Sequence, residues 1–144
     1  MFLLDTNVIS ALRRPDRLPP AVINWADNAR TDQFHISAIS ILEIEQGILA
    51  KARVDRPTAE ILRAWFQNDV LDAFKDRIIA VGTEVAMRCA ALHVPDPQPE
   101  RDGLIAATAL VHSMIVVTRN VVDFEKTGVG LLNPWEHSGT TADN

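Results

Sequence analysis

Short, mostly apolar runs recur along this chain: FLL at 2–4, FHISA at 34–38, RIIAV at 77–81 and MIVVT at 114–118. FLL, RIIAV and MIVVT are apolar almost throughout, while FHISA carries His35 and Ser37 between its apolar residues. Each predicts a strand buried on both faces, the habit of parallel sheets. Between the runs lie stretches of helical length. LPPAVINWADNAR carries proline in its first turn, where a missing N–H costs nothing. SAISILEIEQGILAKAR follows the second run. PTAEILRAWFQNDVLDAF sets Ile61, Leu62, Trp65, Phe66, Val70 and Leu71 at helical offsets. TEVAMRCAALHV reads as a helix capped by Thr83, and RDGLIAATALVHS as another. The prolines of PDPQPE break the chain between them. VGLLNPW offers a weaker fifth strand. Strands alternating with helices predict a three-layer α/β/α sandwich with a central, mainly parallel sheet of four to five strands.

The 144 residues fit one domain, expected over 1–137, with SGTTADN at 138–144 as a frayed tail. A chain of this length buries about 70% of its unfolded surface and needs no disulfide. The lone cysteine, Cys89, lies in the apolar stretch AMRCAALHV and is expected in the core. No apolar run approaches the about 18 residues of a membrane span, and no basic-then-apolar leader opens the sequence. A cytoplasmic location is the expectation, with no membrane partner. The net charge of −5 disfavours loose binding to nucleic acid, yet permits an acidic site whose bound cations cancel charge locally.

In parallel sheets the functional crevice lies beyond the carboxyl ends of the strands. Asp5 falls at the end of the first strand, Glu43 in the helix after the second, Asp102 at the start of the helix after the proline loop, and Asp123 just beyond the fourth strand. All could converge on one rim. Carboxylates so gathered repel unless cations lie between them, and hard oxygen ligands suit Mg²⁺ or Mn²⁺. Plainer roles compete. Asp5 could cap the following helix, Asp102 could favour its helix dipole, and Asp123 could form a turn. Asp102 lies in line with Ile105, Ala106 and Ala109, a face expected to turn inward. Glu45 rivals Glu43, and pattern alone barely separates them: Glu45 has apolar neighbours, whereas Ser40, Gln46 and Gly47 flank Glu43. His35, His93, His112 and His137 lack zinc-ligand spacing, and His112 reads as a partly buried packing residue.

LLDTNVIS at the start, ISAISILEIEQGI, RDGLIAATALVHSMIVVTRNVVDF and LLNPW together resemble, in order and over nearly the whole chain, the PIN-domain ribonucleases, and within them the VapC-type toxins of toxin–antitoxin pairs, FitB-like branch. The resemblance implies a PIN-like fold and a metal-dependent endoribonuclease in which an Mg²⁺- or Mn²⁺-activated water attacks an RNA phosphodiester. It implies that Asp5, Glu43 and Asp102 hold the metal. It favours Glu43 over Glu45, because Glu43 stands four residues before Gly47. At the fourth position some relatives carry Asp directly after TR, where this chain has Asn120; Asp123 is then assigned as the fourth acid. Thr6, Asn7 and Thr118 resemble supporting polar residues, and Arg119 is suited to meet a phosphate. A cognate antitoxin, RNA, and a homodimer or toxin–antitoxin hetero-oligomer are the implied partners. Trp65 and Phe66 could serve the core or an apolar interface. Two other classes compete. A haloacid-dehalogenase-like phosphomonoesterase also begins with a strand-end Asp, but needs a second Asp where this chain has Asn7. A non-catalytic partner-binding module could retain the acids without the chemistry.

Overall fold

The computed structural model describes residues 1–136; the expected tail at 138–144 and His137 lie outside the described residues. β1 (Phe2–Leu4), β2 (Phe34–Ser37), β3 (Ile78–Ile79), β4 (Ile115–Val117) and β5 (Leu131–Leu132) form one five-stranded sheet in the order β3-β2-β1-β4-β5. Every pairing is parallel, with Phe2 opposite Phe34 on one side and Ile115 on the other.

Strand periodicity then divides the core. Leu3 and Val116 point to one face, Leu4 and Val117 to the other, and all four are at most 1% exposed. On the Leu4 face, α1 (Thr6–Leu12), α2 (Pro20–Asn28), α3 (Ala38–Ala52) and α4 (Arg56–Trp65) cover the sheet. Trp25 stacks on Phe34 with centroids 5.3 Å apart, and Phe2 meets Trp25 edge-on. On the Leu3 face lies α6 (Glu100–Val111), whose Ile105, Ala106 and Ala109 are buried, with Phe124 of the 3₁₀ segment Val121–Thr127 beside it. α5 (Thr83–Leu92) packs outside α6 through Val85 and Cys89. Gly103 eases this close approach: a Cβ there would stand 3.2 Å from His93 Nε2, and the His93 side chain would have to give by a few tenths of an ångström.

Several local expectations change. α4 does not run on as one α-helix. From Phe66 to Asp72 it widens into a π-helix, with both Phe66 and Val70 in the core. Ile61, expected inside, is 64% exposed, because the packed face of α4 runs through Ala59, Leu62 and Phe66. Thr83 does not cap α5. Gly82 holds the extended N-cap position without a side chain, and Thr83 already has helical backbone. His112, expected to be partly buried, is exposed at the end of α6. Cys89 is buried as expected. No helix among the described residues is long and apolar enough to cross a membrane.

Phe66, 2% exposed, anchors the π-turn in the core. Phe66→Ala is expected to cost about 3–5 kcal/mol, read by urea denaturation; a loss under 1 kcal/mol would mean the turn is not packed as described.

Candidate active site

The strand order creates the site. From β1 the chain winds outward through β2 and β3, then returns to β4 on β1's other side. α1 leaves the end of β1 toward the Leu4 face, whereas the segment after β4 turns toward the Leu3 face. The backbone therefore parts between the carboxyl ends of β1 and β4, the switch point at which parallel sheets open a crevice.

Asp5 stands at this point. Its N–H still pairs with Val117 O at 2.9 Å, while its carboxylate, only 6% exposed, begins α1. Oδ1 accepts from Thr6 N at 2.8 Å. Oδ2 accepts from Asn7 Nδ2 at 2.9 Å and from the buried Thr118 Oγ1 at 2.8 Å. Asp5 is thus the helix cap that the plainer reading proposed, but its second oxygen belongs to a wider network. Thr118 Oγ1 also accepts from Asn120 N at 3.0 Å, and Asn7 Oδ1 from Arg119 N at 3.3 Å. The residues TRN after β4 are tied to DTN after β1. Burial pushes the Asp5 carboxyl above its ordinary value; the bonds from Thr118, Thr6 and Asn7 pull it down, and the Glu43 charge adds to the rise.

Glu43 reaches the same rim from the second turn of α3. Thr6 Oγ1 donates to its Oε1 at 2.5 Å and lies 2.8 Å from Ser40 Oγ, one turn earlier on α3. Arg101 Nη1 stands 3.8 Å from Oε2 with its side chain half exposed, a weak compensation. Glu45 points elsewhere. Arg63 of α4 grips it with both guanidinium nitrogens, Nη2 to Oε2 at 2.8 Å, and holds its carboxyl below the usual range. The two glutamates are therefore separated by Arg63, 18 residues downstream of Glu45.

Asp102 lies in the first turn of α6, half-buried, and makes no capping bond. Its carboxyl is raised to about 6, first by burial and then by the charges of Asp5, Asp123 and Glu43. All four acids thus share one electrostatic neighbourhood. As the side chains stand, no three His, Cys, Asp or Glu among the described residues form a group able to hold a metal ion. The acids are within Coulombic range, short of a closed ligand set. Asp123 is exposed at the start of the 3₁₀ segment, and Asn120 is exposed beside it. Arg119 is exposed, its guanidinium 4.9 Å from the centre of the Trp135 ring. Sequence reasoning missed Trp135 as the support for Arg119, since nothing local announces a contact across 16 residues. Ser40 had a usable signal: it precedes Glu43 by one helical turn.

A raised folded-state value means that the folded protein binds the Asp102 proton more tightly than the unfolded chain. Stability is then gained as pH falls from about 6 toward the ordinary 3.8, and the ionised carboxyl costs stability above about 6. In chelator, Asp102→Asn should exceed the parent in denaturant midpoint at about pH 7.5 and lose that advantage at about pH 4. An advantage independent of pH would contradict the electrostatic account.

The profile of the PIN domain matches residues 2–129. VapC ribonuclease Y4jK of Sinorhizobium fredii is 34% identical over 143 residues, covering 94% of this chain and 99% of the relative. Toxin FitB of Neisseria gonorrhoeae is 32% identical with the same coverage. A crystal structure of FitAcB from that organism superposes with a TM-score of 0.84 at 31% identity, covering 94% of this chain and 99% of that one. A toxin-antitoxin complex from Klebsiella pneumoniae gives a TM-score of 0.62 at 27% identity, covering 93% and 98%. With its parallel sheet, its split between β1 and β4 and its acids at that split, this chain belongs to the PIN-domain family, among the relatives named VapC and FitB.

Proposed function

We propose that this protein is a metal-dependent endoribonuclease and the toxin of a toxin–antitoxin pair. The observation that carries the proposal is the gathering of acids at the switch point: the buried Asp5, Glu43 tied to it through Thr6, and Asp102, whose carboxyl is raised to about 6 first by burial and then by the charges of Asp5, Asp123 and Glu43. The relatives named ribonuclease and toxin supply the reaction class.

An all-carboxylate donor set with little countercharge suits a hard divalent cation by chemistry and by charge, Mg²⁺ or Mn²⁺. Asp5, Glu43 and Asp102 would hold it, with Asp123 as the fourth acid. Such an ion supplies a water of lowered pKa at neutral pH and neutralises charge developing on a phosphate. The protein's own work is positioning. Three donors fix both Asp5 oxygens. Thr6 orients Glu43 from the opposite wall. The network through Asn7, Thr118 and Asn120 ties the two loops together, so the acids keep their spacing. Arg119 lies on the rim where an RNA phosphate would pass, steadied by Trp135. The partners are an antitoxin, in keeping with the Klebsiella complex, and a second copy of the chain.

The test is cleavage of total RNA by the purified protein with Mg²⁺ or Mn²⁺ and with chelator, the ends mapped by sequencing. Asp5→Asn should keep a cooperative thermal transition and show no cleavage above the chelator background. Undiminished cleavage by that variant, or cleavage indifferent to chelator, would overturn the proposal.

A further inference from the structure

Beside the acids a second feature opens. A groove of about 330 Å³ runs from Thr6 and Glu43 between α1, α3 and α4. Ser10 continues it on α1 and Gly47 and Lys51 on α3, while Ile44, Ile48, Leu62 and the half-buried Trp65 ring form its apolar wall. Glu43, Gly47 and Lys51 are spaced four residues apart, so they line one face of α3.

Gly47 is the anomaly. It stands in the middle of a 15-residue helix, where glycine costs about 1 kcal/mol relative to alanine. Packing does not require it: a Cβ at Gly47 would meet nothing within 4 Å. Its backbone dihedral does not require it either, since Gly128 is the glycine with positive φ. The missing side chain keeps the groove open directly next to Glu43. At the far end is Lys51, exposed and in no ion pair among the described residues. Asp55 feels the Lys51 charge, but its carboxylate is engaged by Thr58. Eight residues of helix put Lys51 about 12 Å beyond Glu43, within reach of a backbone phosphate next to the one at the acids.

An aromatic wall, an open floor and a lysine in line with the acids form a single-strand binding track: bases stack on rings and phosphates meet cations. We propose that this groove is the substrate subsite beside the scissile phosphate. A nucleotide flanking the cut lies over Gly47 against Trp65, and Lys51 binds the backbone phosphate beyond it. The proposal rests on the endoribonuclease reading above and deepens it. The occupant is single-stranded RNA rather than a peptide, because the groove is continuous with the acidic rim and ends in a cation that has no ion pair among the described residues.

The experiment uses the full chain and a fluorogenic single-stranded oligoribonucleotide with Mn²⁺. Lys51→Gln is compared with Lys75→Gln, which removes the same charge in the turn after the π-helix, outside the groove. Lys51→Gln should raise KM several-fold at constant kcat and reduce the slope of log KM against log salt by about 0.7, the mark of one lost phosphate contact on a single strand. Lys75→Gln should do neither. Gly47→Leu should raise KM about tenfold or more, the cost of displacing one stacked base, with a thermal midpoint equal to or above the parent's because a helix former replaces glycine. If the parent cuts the oligonucleotide while both groove variants keep its KM and salt slope, the subsite is wrong and the groove serves a protein partner. If the parent cuts no RNA with any divalent ion, it is the endoribonuclease reading that fails.

Discussion

The pairing of β1 with β4 is the contact on which the rest depends. These strands lie far apart in sequence, and closing that loop is entropically costly. The cost is offset by apolar strands buried on both faces, with Leu3, Leu4, Val116 and Val117 essentially sealed from water. Once formed, the pairing brings Asp5 and Thr118 side by side, and the hydrogen bond between them extends the ladder into side chains. It also fixes where the chain parts toward opposite faces. The acidic rim is thus a consequence of winding order: a sheet of the same strands wound in one direction would have no such opening there.

The electrostatics follow from that placement. Asp5 combines near-complete burial with several donors, so its negative charge is partly satisfied from within. Asp102 has no such donors, and its carboxyl responds to burial and to its neighbours' charges. Two aspartates in one crevice therefore differ in character because one sits in a hydrogen-bonded cap and the other on a bare first turn.

Much of this was legible in the sequence. Mostly apolar runs alternating with helices pointed to the parallel sheet, and the strand-end rule pointed to Asp5 and the residues after β4; β2, whose FHIS alternates, is largely buried all the same. What the sequence concealed were relations between distant side chains. Glu43 and Glu45 look alike in pattern, and Arg63 on another helix divides them. The widening of α4 after Trp65 leaves an ordinary helical period in the sequence, which placed Phe66 and Val70 on one face but carried no sign of the π-turn that joins them. Thr83 looked like a cap because threonine often is one; Gly82 took the position because the chain is still extended there. Asp123 and Asn120 share the rim loop beyond β4, where no hydrogen bond to the Asp5 carboxylate selects between them.

Both outermost strands, β3 and β5, are two residues long. An edge so brief exposes almost no run of free N–H and C=O groups, so neighbouring molecules find little template for extending the sheet. Just before β3, Arg77 spends its guanidinium on the carbonyls of Thr31, Phe34 and Ala73, tying the segments that lead into β2 and β3 together. Sheet extension therefore offers a neighbouring molecule little, and the faces of the helices are where side-chain chemistry can select a partner.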